Sequence, residues 1–301
     1  MFGELISITG GTDIGIDALV ERDDGSVIQN HSEIERSEWV SAAQTRNVLL
    51  GDPVLDWLDL YGEKQGFLRD SSLQQYDSRT DFTEFMFAQA RRFETAIVEL
   101  LCESYRIATI SRVPGFQQVL PEARNTFAEM CEGAKIIYQG VLVDPEHMTY
   151  GSPDLLIRSD VLAQLFPEAI NQAEALQIAS DLPNARWHYR VIDIKFKTLG
   201  MLVNGELDNV GPSPAYKVQL AIYNQALGRV QGFEPPTSYL LGRGWRQGNA
   251  RGSNCLERLG EVSQTGTLAR KRPIKEAMAD SISWLHRVRT QGGKWNVLPN
   301  P

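Results

Sequence analysis

The chain has 301 residues, 42% hydrophobic and 23% charged, a balance that excludes wholesale disorder and suits a globular fold. No apolar run is long enough to span a bilayer, the opening residues lack the basic-then-apolar pattern of a secretory signal, and three scattered cysteines, Cys102, Cys131 and Cys255, make no disulfide framework. A soluble cytoplasmic protein with no membrane partner is therefore expected. The net charge of −8 is unevenly spread: residues 201–301 hold 13 Lys+Arg and 7 Asp+Glu (+6), and residues 1–200 hold the other 17 and 31 (−14). A basic C-terminal third can track a phosphate backbone while the acidic remainder faces solvent.

Residues 1–30 read as one or two short strands around Gly10-Gly11 and the Asp23-Asp24-Gly25 turn. Gly10-Gly11-Thr12 is no phosphate loop, because the Gly-Lys-Ser/Thr ending is missing. Ser41 can cap a helix from Ala42 to about Leu50, and Asp52-Pro53 restarts a second one through Leu60, ended by Gly62. Leu49, Leu50, Leu55, Trp57 and Leu58 are its expected packing residues. Glu63 to Thr80 reads as a polar connection. Asp81 can cap a long helix to about Tyr105, with Phe82, Phe85, Met86, Phe93, Ile97, Leu100 and Leu101 at helical spacing. A short helix over 125–133 follows.

The period then changes. Lys135 to Val143 and Tyr150 to Ser159 read as a hairpin turning at Asp144-Pro145-Glu146-His147. Val161 to Ala179 is a helical insertion, and Trp187 to Lys197 is a third strand. After a glycine-rich loop, Ser213 as cap, Pro214 at the first helical position and Gly228 past the end delimit a helix. Thr237 to Arg243 is a fourth strand and Ala277 to Arg289 a last helix. This order predicts an α/β fold with a central mixed sheet flanked by helices. It divides into an N-terminal strand and helical region, 1–80, packed on a core of 81–301.

The chemistry starts at Val191-Ile192-Asp193-Ile194-Lys195-Phe196. Alternation sends Ile192, Ile194 and Phe196 to one face, and Asp193 with Lys195 to the other. Charges in the most apolar stretch of a strand require partners. Gly151-Ser152-Pro153-Asp154 places a second acid before a neighbouring strand, so both carboxylates meet at one end of the sheet if the strands pair. Two such oxygens, with waters, a substrate phosphate and the backbone carbonyl of Ile194, suit Mg²⁺. Glu94, on the long helix, either completes an acidic triad or pairs with Arg91 on the surface. Gln219 and Tyr223, four apart on the helix after the strand, share a face. Lys217, Arg243 and Arg246 are the nearby cations, and Gly242-Arg243-Gly244-Trp245-Arg246 suits a strand-gripping loop.

In combination, Ser-Pro-Asp154, Asp193-Ile194-Lys195 and Gln219…Tyr223, with Glu94 ahead of them, resemble the PD-(D/E)XK nuclease superfamily. The resemblance is to the branch similar to the RecB nuclease domain and the CRISPR adaptation exonucleases. It covers roughly residues 81–245, with a fainter echo over 41–60. It implies a restriction-endonuclease-like core and metal-dependent cutting of DNA, in processing, repair or recombination. Asp154, Asp193 and Glu94 would hold Mg²⁺ or Mn²⁺, Lys195 would act as base or charge stabiliser, and Gln219 and Tyr223 would position substrate. Asp52-Pro53 stands where some members of that branch carry Cys-Pro, so no iron–sulfur cluster is expected. The competing expectation is a non-catalytic DNA-binding or scaffold relative within a larger complex. A phosphotransferase lacks its motif here.

Overall fold

The computed structural model describes residues 38–110 and 116–296; the strand expected around Gly10-Gly11 lies outside them. Ten strands are described: β1 (Val40–Ser41), β2 (Ile107–Thr109), β3 (Ile136–Tyr138), β4 (Leu142–Asp144), β5 (Thr149–Gly151), β6 (Leu155–Arg158), β7 (Tyr189–Met201), β8 (Thr237–Gln247), β9 (Ala250–Gly252) and β10 (Gly260–Ser263). The main sheet runs β10-β8-β7-β6-β3-β2, with β9 on β8, and a second sheet runs β1-β5-β4. The principal helices are α1 (Phe82–Cys102), α2 (Val119–Cys131), α3 (Ser159–Leu165), α4 (Ser213–Gln231) and α5 (Ile274–Gln291). The mixed α/β architecture matches the element order expected from the sequence. Among the described residues no helix is long and apolar enough to cross a membrane.

Burial on both faces of the main sheet explains its near-continuous apolar strands. Leu156, Val191 and Leu240 face α2, α4 and α5, whereas Leu155, Ile157, Ile192 and Ile194 face α1 and α3. β7 is antiparallel to β6 and parallel to β8, and α4 makes the crossover that a parallel pair requires.

The expected hairpin of two long strands is instead two pairs meeting at a corner. Gln139 takes a left-handed conformation, φ +56°. Its N–H donates to the Asp154 carbonyl at 2.9 Å, and Ser152 Oγ donates to the Gln139 carbonyl at 2.9 Å. The chain therefore leaves the main sheet after β3, forms β4 and β5 in the second sheet, and returns as β6. Gly151 sits at this corner because a Cβ there would come within 2.2 Å of the Tyr223 ring.

Other boundaries moved for identifiable reasons. Gly228 lies inside α4, where the returning chain passes so close that a Cβ would meet Glu234 at 2.7 Å; Gly232, at φ +68°, ends the helix. Asp81 caps α1 as expected, accepting from the N–H groups of Thr83 and Glu84. Only the second half of α1 reaches the core, through Ile97 and Leu101; Phe82 and Phe85 are exposed because the first half projects past the sheet. In the N-terminal region Trp57 is buried and donates from Nε1 to the Gly292 carbonyl at 2.7 Å, but Leu50 and Leu55 remain exposed. Leu49 packs on the core as expected, and a polar anchor joins it: Trp284 Nε1 donates to Asp56 at 2.9 Å.

Candidate active site

Antiparallel pairing of β6 with β7 sets Leu155 opposite Ile192, which brings Asp154, one residue earlier, level with Asp193. The Ile194 N–H donates to Asp154 Oδ2 at 2.6 Å, fixing one acid against the strand that carries the other. In a strand a residue's N–H and C=O point to the same edge, so the Ile194 carbonyl also faces the gap beyond the start of β6. Asp193 is buried and pairs with Lys195, two residues on and on the same face. From α1, Glu94 reaches the same place, its Oε1 accepting from Tyr138 OH at 2.7 Å and from Gln139 Nε2 at 3.0 Å. The alternative surface pairing of Glu94 with Arg91 is not formed.

Glu94, Asp154, Ile194, Lys195 and Gln219 line a cleft of about 670 Å³ between α1 and α4, while Asp193 is buried and not part of its lining. Burial, then the Asp193 carboxylate, pushes the Asp154 carboxyl well above the ordinary range; Glu94 adds to this and Lys195 opposes it. At Lys195 burial pulls downward, but the Asp193 and Asp154 carboxylates prevail and hold the ammonium above its usual value. Lys195 thus stands among three acids, two of which, Glu94 and Asp154, line the cleft with it.

Gln219 lines the cleft and donates from Nε2 to Tyr223 OH at 2.8 Å. Tyr223 is buried beneath it, its phenol pushed up by burial and by Asp193, and its hydroxyl holds Gln219 in place. Lys217 is a correction. It is buried, donates from Nζ to Asn209 at 2.8 Å and lies off the cleft, because positions two apart on a helix point different ways. Arg243 and Arg246 are exposed on β8, the strand beside β7. Arg243 stacks over Phe196, 4.9 Å from its centroid.

Tyr216, Lys197, Arg46 and Phe87 also line the cleft. Tyr216 stands between Lys195 and Lys197, 5.4 and 5.8 Å from the two ammonium groups. Helical spacing from Gln219 would have found Tyr216, and alternation from Lys195 would have found Lys197. Arg46 gave no such signal: it arrives because β1 pairs with β5, a contact between segments far apart in the chain.

Asp144, Glu146 and His147, at the β4–β5 turn, form a group able to hold a metal ion, their ligand atoms lying within 4.8 Å of one another. The acids of the cleft are not drawn so close. The three cysteines are free thiols. No family model matches the chain, and no curated protein is similar enough in sequence to count as a match.

Proposed function

We propose that this protein is a divalent-cation-dependent nuclease that hydrolyses phosphodiester bonds in DNA at the mouth of the α1–α4 cleft. The observation that carries the reading is the bond from Ile194 N–H to Asp154 at 2.6 Å. It holds one acid level with Asp193, beside a lysine, at an open sheet end. Structural charges have no need of an open cleft or of like-charge crowding.

The donor set fits a hard cation. Asp154, Asp193 and Glu94 offer carboxylate oxygens, and the crowding that raises Asp154 is relieved by positive charge. These three side chains, with the Ile194 carbonyl, would hold Mg²⁺ or Mn²⁺. Such an ion neutralises a phosphate and acidifies bound water. Lys195, held charged by its neighbours, orients the attacking water and balances charge developing on the phosphate oxygens. Gln219, fixed by Tyr223, hydrogen-bonds the phosphate from the α4 side. Lys197, Arg243 and Arg246 continue the positive charge along β7 and β8, where an adjoining backbone runs. DNA rather than RNA rests on the resemblance to the PD-(D/E)XK nucleases.

The test is cleavage of supercoiled and end-labelled DNA with Mg²⁺ and with chelator. Lys195→Ala is expected to abolish cutting while leaving DNA binding intact, and Asp193→Ala to remove both Mg²⁺ binding and cutting. Mg²⁺-independent cutting, or full activity in Lys195→Ala, overturns the reading.

A further inference from the structure

The β4–β5 turn carries a set of side chains that the cleft does not use. Asp144 is buried, its side chain 2% exposed; Oδ2 accepts at 2.9 Å from Gln225 Nε2, on α4, and lies 2.9 Å from His147 Nδ1. Gln225 Nε2 is also 2.8 Å from His147 Nδ1. These three atoms form a near-equilateral triangle that hydrogen bonding cannot satisfy. If Nδ1 carries a proton, it and the Gln225 amide are two donors face to face. If Nδ1 carries a lone pair, it opposes the ionised carboxylate. Turning the amide sets Oε1 against Oδ2, two acceptors. A second fact is independent of the triangle: Asp144 Oδ1 is buried with no hydrogen-bond partner, an expensive state for a carboxylate.

We infer that the Asp144–His147–Gln225 face is a second metal site, taking a six-coordinate first-row transition-metal dication. A cation above the triangle satisfies every edge at once: Asp144 supplies a carboxylate oxygen, His147 its Nδ1 lone pair and Gln225 the Oε1 of a turned amide, an orientation open to any glutamine. The spacing accommodates a six-coordinate ion: ligands ~2.1 Å from it stand ~3.0 Å apart in adjacent octahedral positions, close to the edges of the triangle. An imidazole among the ligands favours transition metals over Mg²⁺ and Ca²⁺. Glu146, within 4.8 Å and gripped by Arg229 at 3.1 Å, offers a further oxygen. The site lies about 9 Å along α4 from Gln219, six residues on, and the ion clips the second sheet to the helix that carries Gln219 and Tyr223.

Co²⁺ is the probe, titrated calorimetrically into the full chain after chelator treatment, with Asp154→Asn/Asp193→Asn silencing the cleft. One Co²⁺ per chain is expected, with a melting temperature raised by roughly 4 °C near saturation. Adding His147→Ala or Gln225→Ala lowers affinity at least ~10-fold. Absence of binding in the silenced chain, or affinity unchanged by both substitutions, overturns the site. Should the silenced chain fail to fold, the Co²⁺ absorption spectrum of the unsubstituted chain decides: the weak visible band of a six-coordinate ion diminishes in His147→Ala, and an identical spectrum overturns the proposal.

Discussion

β7 carries charge near its start, at Arg190, and in mid-strand, at Asp193 and Lys195 beside the open end of β6, and this closed end and open end are treated differently. At its start, Arg190 is fully buried: Nε donates to His188 Nε2 at 2.7 Å, Nη1 to the Thr237 carbonyl at 2.9 Å, and Nη2 pairs with Glu174. His188 Nδ1 in turn donates to the Gln177 carbonyl at 2.9 Å. The opposite charges face each other, with Arg190 buried and Glu174 only partly exposed. Farther along, Asp193 and Lys195 share their corner with Asp154 and Glu94; the carboxylates crowd one another, and Glu94, Asp154 and Lys195 line an open cleft. One end uses charge to close a structure. The other holds it crowded beside a cleft, which under the proposed function a bound cation and an anionic substrate would complete.

The sharpest way to break this contrast is to remove charge at the open end. Under the proposed function, Lys195→Ala lowers the single-turnover cleavage rate by at least roughly 10²–10⁴-fold. Asp154→Asn does the same but leaves the melting temperature equal or higher, because Asp154 is the carboxyl that burial and Asp193 crowd. A large loss of stability in Asp154→Asn, measured by calorimetry, would make the corner structural like its counterpart.

At the closed end the expected effects are on stability. Arg190→Met leaves Glu174 and His188 without their partner and destabilises the chain by about 3 kcal/mol, read from urea unfolding; removing Glu174 and His188 as well recovers part of that. Cleavage per folded molecule is unchanged.

His188 adds a pH dependence of known sign. Burial, aided by Arg190, pushes its imidazolium down to about 4 from the usual 6.5. Below pH 6.5 the unfolded chain therefore takes up a proton that the folded chain refuses, and stability falls as pH drops toward 4. The loss reaches about 2 kcal/mol near pH 5. His188→Gln flattens the slope in that window, and an equal slope in both proteins would show that the ring titrates freely.

The two ends were also unequally legible. Asp193, Lys195 and Asp154 stood out because charge interrupts an apolar strand at period two, and pairing then brings 154 beside 193 without further information. Arg190 sits on the same strand and His188 just before it, yet their partners Glu174 and Gln177 come from an irregular insertion whose path no periodicity encodes. The corner at Gln139 was hidden for a similar reason: a left-handed glutamine carries no composition signal, so two strands read as one. The exposed first half of α1 shows the limit of helical spacing, which identifies a stripe but not what lies opposite it.

The smallest effect separates the cations that line the proposed DNA path from those that only look available in the sequence. Arg246 is exposed on β8, and with burial its guanidinium lowers the Lys197 ammonium against the opposing pull of Asp208, which puts the two cations near each other. Arg246→Ala is expected to weaken DNA binding uniformly across sequences and to reduce the slope of log affinity against log salt by about one. Lys217, buried against Asn209, has no phosphate to neutralise, so Lys217→Met leaves that slope where it was. Equal slopes for Arg246→Ala and the unsubstituted chain would move the path off β8, and a shallower slope for Lys217→Met would bring that lysine out to the DNA.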